Sequence, residues 1–385
     1  MFVYRREDLP ADPVFPANLA ELGYFVNDKD QIRKISDPTQ EFQYKINRNS
    51  RWNDVQREAM NECIRKIVLS RLRKLGLVDL HLPLAAATKK AHVPIMVSKN
   101  LSAASHIIVL FGEPIQDLGI WSYRSVGSDG INAGSLVSFA QAVLRPGQAD
   151  GGVDANMPNT ALVLANTGQL VWHCASGQAI TLTHWLHMPR ESAVDPPPEM
   201  SRRNKIPGHE HWANHVDRVF EDILSARGRL VSWGAKISIV GASEGGLGAL
   251  RYLARNWASW RSNISAICFA NPLHIAQIEI GADYENLASA DPTSFAAFVV
   301  SRCRGYVLSN EPLGMPAEAM LDHGCNCYSS GEELNTEGIM PKAWSHALEW
   351  LNRAFADPNY GEAKLEIRYF DSSELNYAGA TEDGA

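Results

Sequence analysis

The feature that most narrows what this chain can become is a short turn, Gly241-Ala242-Ser243-Glu244-Gly245. It sits between the apolar run Lys236-Ile237-Ser238-Ile239-Val240 and a helical pattern from about Gly245 to Asn256. A strand that reverses into a helix over so few residues leaves no room for side chains two positions either side of its apex, so glycine is required there. The apex serine then takes a strained backbone conformation at the carboxyl end of a sheet. Such a turn belongs in a chain where strands and helices alternate, and this one alternates throughout. Residues 106–111, 160–166, 264–270 and 305–309 read as strands buried on both faces, and residues 53–75, 135–144 and 209–226 read as helices. The first of these helices ends at Gly76, a common helix terminator. Alternation of this kind predicts an α/β fold with a mostly parallel central sheet and helices on both faces.

At 385 residues the chain can bury one large core. Residues 1–375 read as a single domain, with an N-terminal cap over about 1–60 and a Pro-rich loop over about 186–208 that is expected to be long and exposed. Residues 376–385 read as a disordered tail. No apolar run is long enough for a membrane span, and the first residues, Met1 to Arg6, lack a signal-peptide core, so neither secretion nor membrane insertion is expected. The six cysteines are scattered rather than set at framework spacing, which suits a reducing compartment. Cys325 and Cys327 alternate on a strand pattern without a second pair, so no metal and no other cofactor is expected. A formal charge of −7 argues against a surface that grips phosphate backbone, and direct nucleic-acid binding is not expected. The basic stretch Arg65, Lys66, Arg71, Arg73 and Lys74 reads as the solvated face of an amphipathic helix.

In context the glycine-flanked serine reads as the nucleophile elbow of an α/β-hydrolase-like fold. Ser243 is the candidate nucleophile. Gly241, Glu244 and Gly245 at the helix start, with Gly112 after the strand ending at Phe111, form the candidate oxyanion site and pocket. The remaining triad members must follow in the order acid, then histidine. Glu311, just after the strand ending Ser309-Asn310, is the candidate acid. The histidine is the difficulty. His274 falls before the acid, His346 lies in a helical pattern, and His323 stands at the beginning of the last strand, the wrong end for catalysis. Without a base, a serine hydroxyl is a weak nucleophile. A serine esterase using Ser243, Glu311 and His323 is therefore the alternative reading, and ligand binding without turnover is a third.

Several segments together resemble the Arb2 domain family. They are Phe15-Pro16, Leu22-Gly23-Tyr24-Phe25 and Arg33, the run from Arg51 to Ala59, Gly208-His209-Glu210-His211, the Ser243 turn, Ser309 to Gly314, and Gly324-Cys325 with Ser329-Ser330-Gly331. The resemblance implies an α/β-hydrolase-like domain of RNA silencing. Relatives sit in the fungal Argonaute small-interfering-RNA chaperone complex and at the carboxyl end of fungal class II histone deacetylases. It implies Argonaute and other silencing or chromatin proteins as partners, and a nuclear or cytoplasmic location. Many members carry a His-Glu pair after the Ser-Ser-Gly segment. Here the glutamate corresponds to Glu337, while Asn335 or Thr336 stands where the histidine would be. The resemblance and this departure together imply a non-catalytic interaction module.

Overall fold

Every residue of the strand His106–Phe111 is buried, and its side chains alternate between two separate cores. Ile108 and Leu110 join one apolar cluster, while Ile107, Val109 and Phe111 join the other. A strand buried on both faces needs apolar residues at every position, and this is why the run reads as continuous in the sequence. The computed structural model describes residues 6–84, 86, 89–145, 159–281, 291–363 and 365.

Two antiparallel ribbons, β1 (Tyr24–Val26) with β2 (Ile32–Lys34) and β7 (Val171–His173) with β8 (Gln178–Ile180), accompany a nine-stranded sheet. The sheet contains β3 (Leu77–Leu82), β4 (Val93–Ser98), β5 (His106–Phe111), β6 (Thr160–Leu164), β9 (Lys236–Ala242), β10 (Ile264–Ala270), β11 (Cys303–Val307), β12 (Pro316–Ala317) and β13 (Asn326–Ser329). Its order is β12-β13-β11-β10-β9-β5-β6-β4-β3. The run from β13 to β6 is parallel, whereas β4 is antiparallel to both its neighbours and β12 pairs antiparallel with β13. With the short edge strand β12 set aside, the order in chain terms is 1-2-4-3-5-6-7-8 with the second strand reversed. That is the α/β-hydrolase arrangement, with Ser243 directly after the fifth strand.

The helices are α1 (Ser50–Lys74), α2 (Tyr123–Ser128), α3 (Val137–Leu144), α4 (Leu182–Leu186), α5 (Trp212–Arg218), α6 (Ser243–Trp260), α7 (Ala276–Glu279), α8 (Phe295–Arg302), α9 (Met320–His323) and α10 (Ile339–Ala356). On one face α1, α3 and α10 cover the sheet, and on the other α5, α6 and α8 do so. The first helix begins at Ser50, three residues before the apolar spacing shows it, because the Asn49 side chain accepts from the Arg51 N–H. No described helix is long and apolar enough to cross a membrane.

Three local expectations are corrected. The basic stretch of α1 is only partly solvated: Arg65 is buried against Asp117 at 2.9 Å, and Arg71 pairs with Asp30 at 2.7 Å. The Pro-rich loop is docked rather than simply exposed. Ala193 N–H donates to Pro10 O, Trp185 Nε1 donates to Pro198 O, Asn204 Nδ2 donates to Trp172 O, and Ile206 is fully buried. The helix expected over 209–226 starts at Trp212 and passes into a wider π turn over Val219–Leu224, whose Val219, Phe220, Ile223 and Leu224 are all buried. Residues 376–385, read as a tail, lie outside the described residues.

Four fully buried histidines, His106, His209, His215 and His274, are held in the neutral form. Burial pushes His106 down to about 3 and His209 and His274 down to about 4, and it holds His215 well below the usual range. Asn166 N–H donates to His215 Nε2, so His215 carries its proton on Nδ1 and donates it to His209 Nδ1 at 2.9 Å. Because the unfolded chain protonates these rings near pH 6.5 and the native one does not, stability falls as pH drops below that value. A ring with a native value near 4 destabilises by about 2 kcal/mol at pH 5. The thermal midpoint is therefore expected to fall steeply between pH 7.5 and pH 5.0, as followed by circular dichroism; a flat profile over that interval contradicts the assignment.

Candidate functional site

The turn after β9 is built by steric necessity. A Cβ on Gly241 would lie 2.3 Å from the Gly246 Cα, and one on Gly245 would lie 2.5 Å from Gly112 O and 2.6 Å from Phe111 O. Backbone therefore meets backbone where α6 leaves the sheet, and only glycine permits it. Ser243, at the apex, is 4% exposed and has φ +46, a left-handed value that a serine rarely adopts.

The Ser243 hydroxyl donates to Glu113 Oε1 at 2.8 Å and accepts from Asn271 Nδ2 at 3.0 Å. Among the described residues these are its hydrogen-bond partners, and neither is an imidazole. Glu113 comes from the turn after β5, where the sequence reading placed oxyanion donors, and Asn271 from the turn after β10, also with a left-handed φ of +50. The Glu113 turn is pinned from the β6 side: Thr167 Oγ1 donates to Gly112 O at 2.6 Å, and Leu118 N–H donates to Gln169 Oε1. Burial pushes the Glu113 carboxyl up, nearby Glu244 and Glu337 push it further, and the Ser243 and Gln116 donors pull it back.

Beside the turn, a cavity of about 10 Å³ lies among Gly112, Glu113, Gln116, Trp121, Thr336 and Glu337. That is room for a single water. A hollow of about 920 Å³ forms an open trough around Trp257, Phe298, Arg302 and Phe355 by the amino-terminal ends of β9 and β10, away from Ser243. Among the described residues no group of three or more His, Cys, Asp or Glu side chains is placed to hold a metal.

The structure brings together Gly112, Gly241, Ser243, Glu244, Gly245 and Glu337 around the turn, with the glycines acting as packing elements. It does not bring Glu311 or His323 to the hydroxyl. Glu311 is exposed on the turn after β11, its backbone carbonyl accepting from Ser329 Oγ. His323 ends α9 before the start of β13, three strands away from β9, and its Nδ1–H donates to His274 O at 2.6 Å. His274 returns the bond from Nε2 to His323 O at 2.9 Å. His346 is half-buried against the Tyr306 hydroxyl. The turn after β13, which delivers the base in a hydrolase, here delivers Thr336 and Glu337 to the cavity wall. Sequence reasoning missed the roles of Glu113 and Asn271. For Asn271 a signal existed, because asparagine visits the left-handed region more readily than most residues.

A sequence model of the Arb2 domain matches residues 15–313. The "Cotranscriptional regulator ARB2A homolog" of Xenopus tropicalis is 28% identical over 140 residues, which is 35% of this chain. The match spans about a third (33%) of that curated relative's length. Among solved structures, a histone deacetylase from Saccharomyces cerevisiae superposes with a TM-score of 0.39 and 11% identity over 76% of this chain and 97% of that one. An esterase from Pyrobaculum calidifontis gives 0.34 and 12% over 82% and 94%. The fold assignment rests on the strand order described above.

Two outcomes follow from the geometry. Gly245→Ala forces a methyl into two backbone carbonyls and is expected to destabilise by about 3 kcal/mol or to prevent soluble expression. Glu113→Gln removes a carboxylate that is costly to ionise in the native state, so its thermal midpoint should exceed that of the parent at pH 8. The gain should shrink toward pH 4.5, where the parent carboxyl protonates in both states. An equal gain at both pH values, measured by scanning calorimetry, refutes that account.

Proposed function

This chain belongs to the Arb2 domain family, and from that premise we propose that it is a non-catalytic, α/β-hydrolase-like interaction module of RNA silencing and heterochromatin assembly, associating with Argonaute or histone deacetylase machinery. The observation that carries the non-catalytic part is the Ser243 hydroxyl held between Glu113 and Asn271, with no histidine ring among its described partners. A hydroxyl donating to a carboxylate, with no imidazole against it, is not activated for acyl transfer in the way that a hydrolase requires. The carboxylate also stands where a developing oxyanion needs donors. A regulatory role is supported by the relative described as a cotranscriptional regulator. On this reading the protein works in the nucleus, with its partners as proteins rather than metabolites.

The alternative is a serine hydrolase. Its support is the retained strained serine and its glycines. A fluorophosphonate probe separates the two. The folded protein is expected to remain unlabelled across neutral and mildly acidic pH; labelling that disappears in Ser243→Ala establishes the hydrolase instead. Affinity purification from nuclear extract is expected to recover Argonaute or chromatin regulators, and recovery of metabolic enzymes alone counts against the silencing role.

A further inference from the structure

The short helices α7 and α9 are locked together by the reciprocal bonds of His274 and His323, each ring nitrogen donating to the other's backbone carbonyl. Arg251 of α6 holds α7 in place through paired bonds to Glu279, at 2.6 and 3.0 Å. The inward side of this unit is filled by His274, Ala276 and Met320. Its outward side is not polar. Leu273, Ile275, Ile278 and Leu321 are 42%, 46%, 72% and 50% exposed. A rigidly held face with four large aliphatic groups in water is the kind of surface that marks a protein contact.

Its charge names the partner's chemistry. Within the unit, Glu279 of α7 is ion-paired with Arg251. On α9 and just before it, Asp322 and Glu318 are exposed beside Leu321. Nucleic acid is repelled by such a rim, whereas lysine and arginine are drawn to it.

We propose that the α7/α9 face, with Ile275, Ile278 and Leu321 at its centre and Glu318 and Asp322 at its rim, docks a partner-protein segment that combines lysine or arginine with apolar side chains. The apolar groups supply burial and the acidic rim supplies orientation and encounter rate. This inference rests on the reading of the chain as an interaction module and gives that reading a surface.

The test uses fluorescence anisotropy on the full chain with a labelled synthetic peptide bearing lysine and leucine at helical spacing. Comparison probes are a lysine–glycine peptide, a glutamate–leucine peptide and duplex RNA. The lysine–leucine peptide is expected to bind best. Ile278→Lys with Leu321→Lys, and separately Glu318→Lys with Asp322→Lys, are each expected to weaken it by roughly tenfold or more. The charge-matched control, Glu21→Lys with Asp28→Lys on the exposed turns flanking β1, is expected to stay near the parent value. Ile278→Ser with Leu321→Ser repeats the apolar arm without added charge, and thermal melting confirms that each variant is folded. Equal binding by the face variants and the parent overturns the proposal, as does equal binding of the lysine–glycine peptide or RNA. Failure here with Ser243 still unlabelled by fluorophosphonate sinks only this surface; labelling of Ser243 with peptide binding intact sinks only the non-catalytic reading.

Discussion

The carboxyl edge of the sheet depends on one close approach, that of the first turn of α6 to the ends of β5 and β9. Gly245 sits over the carbonyls of Phe111 and Gly112, and Gly246 abuts Gly241, at separations that no Cβ tolerates. Because the backbones are this near, the chain has no alternative to a left-handed residue at position 243. Holding a serine there costs about 1–3 kcal/mol, which persists only where surrounding structure over-determines it. Here the surroundings are β9 and β10, buried almost throughout, and a hydroxyl anchored on both sides. The elbow is thus a consequence of packing, and it does not need catalysis to explain its survival.

Electrostatics bears on the choice between architecture and chemistry. A hydrolase places N–H donors opposite the nucleophile, and one such donor is worth about 2.7–4 kcal/mol in the transition state. In this protein the Glu113 carboxylate accepts from that same hydroxyl. An oxyanion formed within about 4 Å of an ionised carboxylate is repelled by about 4 kcal/mol at an effective dielectric of 20. The two magnitudes are comparable and opposite, so an ionised Glu113 would offset what a donor there contributes. Glu244 and Glu337 add to the same sign and raise the Glu113 carboxyl, as burial does. The helix terminus that would favour an oxyanion instead faces a carboxylate already in place.

What could be read from the sequence divides along the range of the interactions. The strands at 106–111 and 264–270 were legible because burial on both faces writes an uninterrupted apolar run. The elbow was legible because its glycines answer to contacts within a few residues and a neighbouring strand. The docking of the Pro-rich loop was not, since its partners Pro10 and Trp172 are remote in the chain. The same holds for Arg65 and Arg71, whose partners Asp117 and Asp30 make a helical face that looks solvated into a partly covered, ion-paired one. Glu113 was hidden for a related reason: a glutamate after a strand normally faces water, and its bond to Ser243 crosses 130 positions. The order of the histidines was legible as unlike that of a hydrolase, and the structure places His274 and His323 against each other's backbone carbonyls.

His274 and His323 connect the carboxyl edge of the sheet to the outer surface. In a hydrolase the imidazole after the last strand turns inward to the serine. Here His274 and His323 use their ring N–H groups on each other's carbonyls, and α7 and α9 are fastened by that exchange. Burial holds His274 neutral, so its Nε2–H is a fixed donor and its bond to the His323 carbonyl is kept at physiological pH. A face already held in place loses less conformational entropy on docking. On the proposed reading the elbow acts as scaffold for the neighbouring turns, and recognition falls to the charges and aliphatic groups those turns display.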